Sequence, residues 1–180
     1  MKSLTLESNI RLLRLFEHIR KSNPRVILGG SLALMLHGII PERESGDLDI
    51  TSPFYFKIPY VRVRKYNQVF GLYFSDEWAD VKCDLFVNPA AEYMEFPCEH
   101  LTSPNFIKIQ SYKEIMEAKL EYLHKGKYKH LPDLQKYIEF MAQKHASFSD
   151  NGPTAMKEGA GGPRNIDTTL CGTSSEPEAF

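Results

Sequence analysis

The clearest pattern along the chain is a change of hydrophobic period. From Leu4 to Lys21 the apolar positions Ile10, Leu12, Leu13, Leu15, Phe16 and Ile19 fall near one face at a 3.6-residue period, which predicts an amphipathic opening helix. Pro24 stops it, and "RVIL" (residues 25–28) reads as a short buried strand. Gly29 and Gly30 then make a tight turn, Ser31 is placed to cap a helix through "LALMLHG", and Gly38 ends that helix. Residues 39–46 form a polar loop, and "DLDIT" (47–51) is a strand.

Between residues 52 and 87 the period shortens to two. "FYFKI", "VRVRKY", "QVFGLYF" and "ADVKCDLFV" alternate, are rich in Val, Phe and Tyr, and are cut by Pro53, Pro59 and Gly71, as expected of strands in a small sheet. Residues 88–105 read as irregular, and "FIKI" as one more edge strand. "SYKEIMEAKLEYLHKG" follows as a helix, with Ser111 and Glu114 spaced as a capping box and Gly126 as its stop. A last helix is expected from about Pro132 to Lys144. Helix, strand, helix, strands, helices in that order predict an α/β (α+β) domain over residues 1–146 with one mixed sheet, flanking helices and a short helical C-terminal part. Residues 147–180 are crowded with Gly, Pro, Ser, Thr and Glu, a composition that cannot offset ordering entropy, and are expected to form a disordered tail.

Composition adds boundaries. With 180 residues, 42% of them hydrophobic, the chain has material for one domain with a core. A net charge of -1 gives no global attraction to nucleic acid or membrane, so any such affinity must be local. No apolar run approaches the roughly 20 residues of a spanning helix, and the charged N-terminal segment does not read as a signal peptide. The three cysteines lack any CxxC pairing, which argues against a disulfide framework or a zinc site and for a cytoplasmic setting.

Chemistry concentrates in two places. In a strand, residues i and i+2 share a face, so Asp47 and Asp49 point the same way while Leu48 and Ile50 pack behind them. Carboxylates held together repel unless a cation lies between them, and Mg²⁺ commonly uses one or two carboxylates together with substrate phosphates. In "VKCDLFV", Asp84 shares the polar face with Lys82 and Phe86. If the two strands are neighbours, Asp47, Asp49 and Asp84 converge into a set able to hold Mg²⁺ (or Mn²⁺) and to accept a proton. The second place is Gly29-Gly30-Ser31, where a helix N-terminus offers amide donors and a hydroxyl to phosphate oxygens. A phosphate cradle beside a carboxylate cluster suits chemistry on a nucleoside triphosphate. The bland alternatives are solvated strand-end aspartates and a merely capped helix. His37 reads as a packing or cap histidine and Trp78 as core; Arg62, Arg64 and Lys65 either face solvent or line an acceptor site.

Together, "ILGGSLALMLHG…GDLDI…VKCDLF" resembles the nucleotidyltransferase superfamily that includes DNA polymerase beta, and within it the small abortive-infection-type bacterial nucleotidyltransferases. The resemblance implies an enzyme that transfers a nucleoside monophosphate from a triphosphate such as ATP to a hydroxyl acceptor in tRNA or other RNA, in protein or in a small molecule. It further implies metal binding by Asp47, Asp49 and Asp84, phosphate contacts from Gly29, Gly30, Ser31 and Lys119, and acceptor contacts from Lys127, Lys129, His130 and Asp133. A role in a toxin–antitoxin or phage-defence system with a cognate antitoxin, and no membrane partner, goes with it. An inactive nucleotide- or partner-binding member of the same fold is the alternative. One departure from the family is the fifteen-residue spacer between Ser31 and Asp47, which the loop 41–46 is expected to absorb.

Overall fold

The computed structural model of the chain describes residues 4–98 and 106–149. Helix α1 (Glu7–Ser22) is followed by β1 (Ile27–Leu28), α2 (Gly30–His37), β2 (Asp47–Ser52), β3 (Arg62–Tyr66), β4 (Val69–Tyr73), β5 (Lys82–Val87), β6 (Tyr93–Pro97), β7 (Phe106–Gln110), α3 (Tyr112–His124) and α4 (Leu131–Ser149). The seven strands form one mixed sheet in the order β3-β4-β5-β2-β1-β7-β6. The fold is mixed α/β.

Register explains how the sheet sorts its side chains. β2 and β5 run parallel, with Ile50 opposite Leu85 and Asp49 opposite Asp84. Leu28 of β1 pairs with Ile50 on one side and Ile109 of β7 on the other, and Leu85 pairs with Phe70 of β4. Leu28, Ile50, Leu85 and Ile109 therefore form an unbroken apolar row across the middle of the sheet, each fully buried. Leu12, Leu13, Leu15, Phe16 and Ile19 of α1 and Leu32 to Leu36 of α2 complete that core, and burying each such side chain contributes roughly 1.5–3 kcal/mol. The next row, one residue along, carries Arg64, Gly71, Asp84 and Asp49 on the opposite face.

Several expectations are corrected. "FYFKI" is not a strand: bracketed by Pro53 and Pro59, it runs as irregular chain, with Ile58 buried and Phe56 packed on the core. The segment read as irregular contains β6, which pairs antiparallel with β7. "FIKI" is accordingly an interior strand between β1 and β6 rather than an edge. Neither serine caps its helix: Gly29 occupies the N-cap of α2, and Ser111 makes no side-chain bond at α3. Glu114 instead accepts from the Glu92 amide and from Gln110 Nε2, both at 3.1 Å. Gly38 and Gly126 do end α2 and α3, with positive φ and paired bonds back into the last turn. Helix α4 continues to Ser149, past the expected stop at Lys144; the proposed tail beyond it lies outside the described residues, as does Cys171. Cys83 and Cys98 are buried, Trp78 is core, and no helix among the described residues is long and apolar enough to cross a membrane.

Candidate active site

The long loop before β2 is pinned from beneath. Buried Asn9 of α1 donates to the Arg43 carbonyl at 2.9 Å and accepts from the Ser45 amide at 3.1 Å, and the Ser45 hydroxyl donates to the Asp47 carbonyl. Ile39 and Ile40 are themselves buried. The extra spacer residues thus fold back as ordered chain, and β2 enters the sheet directly beside the glycine turn. The Gly29 amide donates to the Asp49 carbonyl at 2.9 Å, which locks turn and strand together.

Gly30 has φ +59, and a Cβ there would lie 2.1 Å from Asp49 Oδ2. Only a residue without a side chain lets that carboxylate sit against the start of α2. Gly29 plays a different part from the one expected: its amide is engaged by Asp49, so it shapes the turn rather than offering a free donor.

Asp47, Asp49 and Asp84 do share one face. Their crowding is visible in protonation: Asp49 is pushed from its ordinary 3.8 up to about 7, by burial first and then by the charges of Asp47 and Asp84, with Lys119 and Lys82 opposing. Lys82, two residues before Asp84 and opposite Asp47 in register, reaches Asp84 at 2.8 Å and Asp47 at 3.4 Å. Those contacts hold its ammonium well above the usual lysine range, the Asp84 hydrogen bond being the largest cause.

These residues floor a cleft of about 830 Å³ that also takes in Gly30, Ser31, Lys119, Lys127, Lys129, His130 and Asp133. Every metal, phosphate and acceptor candidate implied by the resemblance except Gly29 lines it, whereas Arg62, Arg64 and Lys65 do not. Lys119 of α3 is only 7% exposed and pairs with Asp133 of α4 at 3.0 Å, while Arg43 holds the other carboxylate oxygen at 2.8 Å. This triad of two cations and one anion leaves net positive charge facing the carboxylate floor. Asp133, 4% exposed, is therefore a positioning residue for Lys119 and Arg43 rather than a free acceptor contact. At the rim, Tyr122 stacks on His130 with centroids 5.4 Å apart and carries Lys127 over its ring at 4.5 Å. Burial, then nearby Lys119 and Lys129, push His130 below its ordinary value, so its ring is neutral at pH 7. His37 accepts no catalytic part: it bonds the Gln110 carbonyl at 2.8 Å and packs edge-on against Tyr112.

Two members of the site escaped the sequence reading. Lys82 was discoverable, since strand alternation alone puts it beside Asp84. Arg43 was not, because nothing local ties a loop arginine to an aspartate 90 residues away.

The donor set fits a hard divalent cation. It consists of carboxylate oxygens, it carries repulsion that a cation would relieve, and it is open on the cleft side. Among the described residues no three acidic, His or Cys side chains come together as a group that holds a metal ion by itself, so an ion here would need water or phosphate oxygens to complete its shell.

No protein-family model matches the chain, and no curated protein is significantly similar to it. A solved structure from Thermotoga maritima, of a protein provisionally named a nucleotidyltransferase, aligns with 72% of this chain and 93% of its own, at 18% identity and a TM-score of 0.40. A likeness that distant does not bear on activity.

Proposed function

We propose that the chain is a metal-dependent nucleotidyltransferase, moving a nucleoside monophosphate from a nucleoside triphosphate to a hydroxyl acceptor. The observation that carries this reading is the seating of Asp49 against Gly30, with Asp47 and Asp84 on the same face and Lys119 across the cleft. Carboxylates alone suit a cation, and a glycine turn alone suits a phosphate; side by side they suit a metal-bound triphosphate.

In this reading Asp47, Asp49 and Asp84 hold Mg²⁺ or Mn²⁺. When bound, the ion neutralises phosphate charge and polarises the reacting phosphoryl group. Ser31 and the opening amides of α2 receive phosphate oxygens. Lys119, kept in place by Asp133, adds fixed positive charge where the departing pyrophosphate gathers negative charge. Asp84 accepts the proton of the acceptor hydroxyl as that oxygen bonds to the α-phosphorus. The α–β phosphoanhydride bond breaks in the same step, and pyrophosphate leaves. Most of the acceleration comes from positioning and charge stabilisation.

The test is transfer of label from α-³²P-labelled triphosphates in Mg²⁺, with RNA, lysate protein and small hydroxylic compounds offered separately. Wild type labels one of these classes, and Asp49→Asn abolishes labelling in a folded protein. Labelling that survives the substitution overturns the assignment. Lys82 favours a second reading, because its ammonium already supplies counter-charge between Asp47 and Asp84: a nucleotide-binding domain without turnover. That domain would gain thermal stability from nucleotide and release no pyrophosphate.

A further inference from the structure

The carboxylate row does not stop at Asp84. Across the sheet it continues through Gly71 of β4 to Arg64 of β3, each directly opposite the next. Strand alternation puts Arg62, Arg64 and Tyr66, together with Val69, Gly71 and Tyr73, on the same face as Asp84. Val63, Lys65 and Phe70 point to the other side. The cleft itself reaches Gln68 in the turn of this hairpin.

Gly71 gives that face its shape. A Cβ there would lie 3.2 Å from the Tyr66 ring and 3.3 Å from the Tyr73 ring, so both rings lie down over the glycine. Their hydroxyls bond at 2.6 Å, and the Arg64 guanidinium lies 5.0 Å from the Tyr66 centroid. Each tyrosine is nonetheless 43% exposed. The result is an aromatic shelf edged by two arginines and seated over Gly71, one strand spacing (~5 Å) from the strand that carries Asp84.

We propose that this shelf is the acceptor side of the site, and that the acceptor it takes is the end of a single-stranded RNA. The proposal rests on the nucleotidyltransferase reading and adds its substrate class. Tyrosine faces and guanidinium planes are what unpaired bases stack on, and arginines beside them meet the phosphates. Lys127 and Lys129 on the opposite wall extend the same positive charge around the cleft. A polycationic small acceptor would meet Arg62 and Arg64 as like charges. An extended peptide would have to pair with the edge strand β3, whose Arg62, Arg64 and Lys65 discourage strand addition.

The experiment uses the full chain and a fluorescein-labelled single-stranded RNA about ten nucleotides long, read by fluorescence anisotropy over a salt series. Wild type binds. Tyr73→Ala weakens binding about tenfold, the loss expected for one stacked base, whereas Tyr73→Phe keeps the ring and the affinity. Arg62→Gln and Arg64→Gln each lower the slope of log Kd against log salt by about 0.7, one phosphate contact on a single strand. The same variants lose labelling of RNA but keep nucleotide-dependent thermal stabilisation, which shows that the cleft is intact. RNA affinity unchanged in Tyr73→Ala and in both arginine variants overturns the proposal, as does labelling of a protein or small-molecule acceptor that these substitutions leave untouched. RNA binding that depends on the shelf in a protein that never releases pyrophosphate upholds the shelf and refutes the transferase reading instead.

Discussion

Replacing Asp49 by Asn gives the sharpest test of the physical argument. The folded value of about 7 lies above the ordinary 3.8, so ionising this carboxylate opposes folding. Stability is full below about pH 4, falls as the pH climbs, and levels off above about pH 7. Each pH unit between the two values corresponds to about 1.4 kcal/mol, so the full span amounts to about 4 kcal/mol. That is an upper figure, because the carboxyl keeps one side toward the open cleft. Groups facing Asp49 are Asp47 and Asp84, which raise its value, and Lys82 and Lys119, which lower it. Asparagine keeps the shape and removes the charge. At pH 8 the variant should therefore melt higher than wild type, by on the order of 10 °C for a domain this size, although it loses transfer. Its melting temperature should also be flatter than that of wild type between pH 4 and 7. Differential scanning fluorimetry over a pH series, with and without Mg²⁺, reads all of this. Mg²⁺ should raise the wild-type melt at pH 8 and leave the variant nearly unmoved. If Asp49→Asn melts no higher than wild type at pH 8, and shows the same slope from pH 4 to 7, burial and the neighbouring carboxylates do not penalise an ionised Asp49 and the argument for a cation fails.

The remaining predictions follow from single contacts. Gly30→Ala puts a methyl on the Asp49 carboxylate at a positive-φ position; it should cost roughly 1–3 kcal/mol in urea melts and remove nucleotide-dependent stabilisation altogether. Asp133→Ala leaves Lys119, 7% exposed, without its carboxylate, a loss of about 3–5 kcal/mol. Combining Lys119→Met with Asp133→Leu should recover much of that stability but none of the transfer. Lys82→Met removes the ammonium competing for Asp47 and Asp84, so the Mg²⁺ concentration giving half-maximal stabilisation should fall about two- to fivefold, in line with an exposed ion pair. Asn9→Ala frees the loop that carries Arg43; it should lower stability by about 1–3 kcal/mol and speed amide exchange in residues 43–46 first.

Much of this protein is legible in one dimension, wherever the cause is local. The 3.6-residue period placed α1, the glycines at 38 and 126 ended α2 and α3, and the alternation in "DLDI" and "VKCDL" assigned each aspartate to the polar side of its strand. Those rules depend on residues within four positions of one another, so the chain states them directly. Pairing is different. β7 is interior only because β6 binds beyond it, and the alternation in "FYFKI" does not show that the segment stays outside the sheet. Nor does local spacing say that Asp49 stands opposite Asp84, that Gly30 leaves room for the Asp49 carboxylate, or that Asp133 holds Lys119 and Arg43 together. Each of those is a meeting of distant segments, decided by which arrangement buries the apolar row of Leu28, Ile50, Leu85 and Ile109 in one core. The residue types present chose the chemistry available to this chain; the sheet register chose which of them share a cleft.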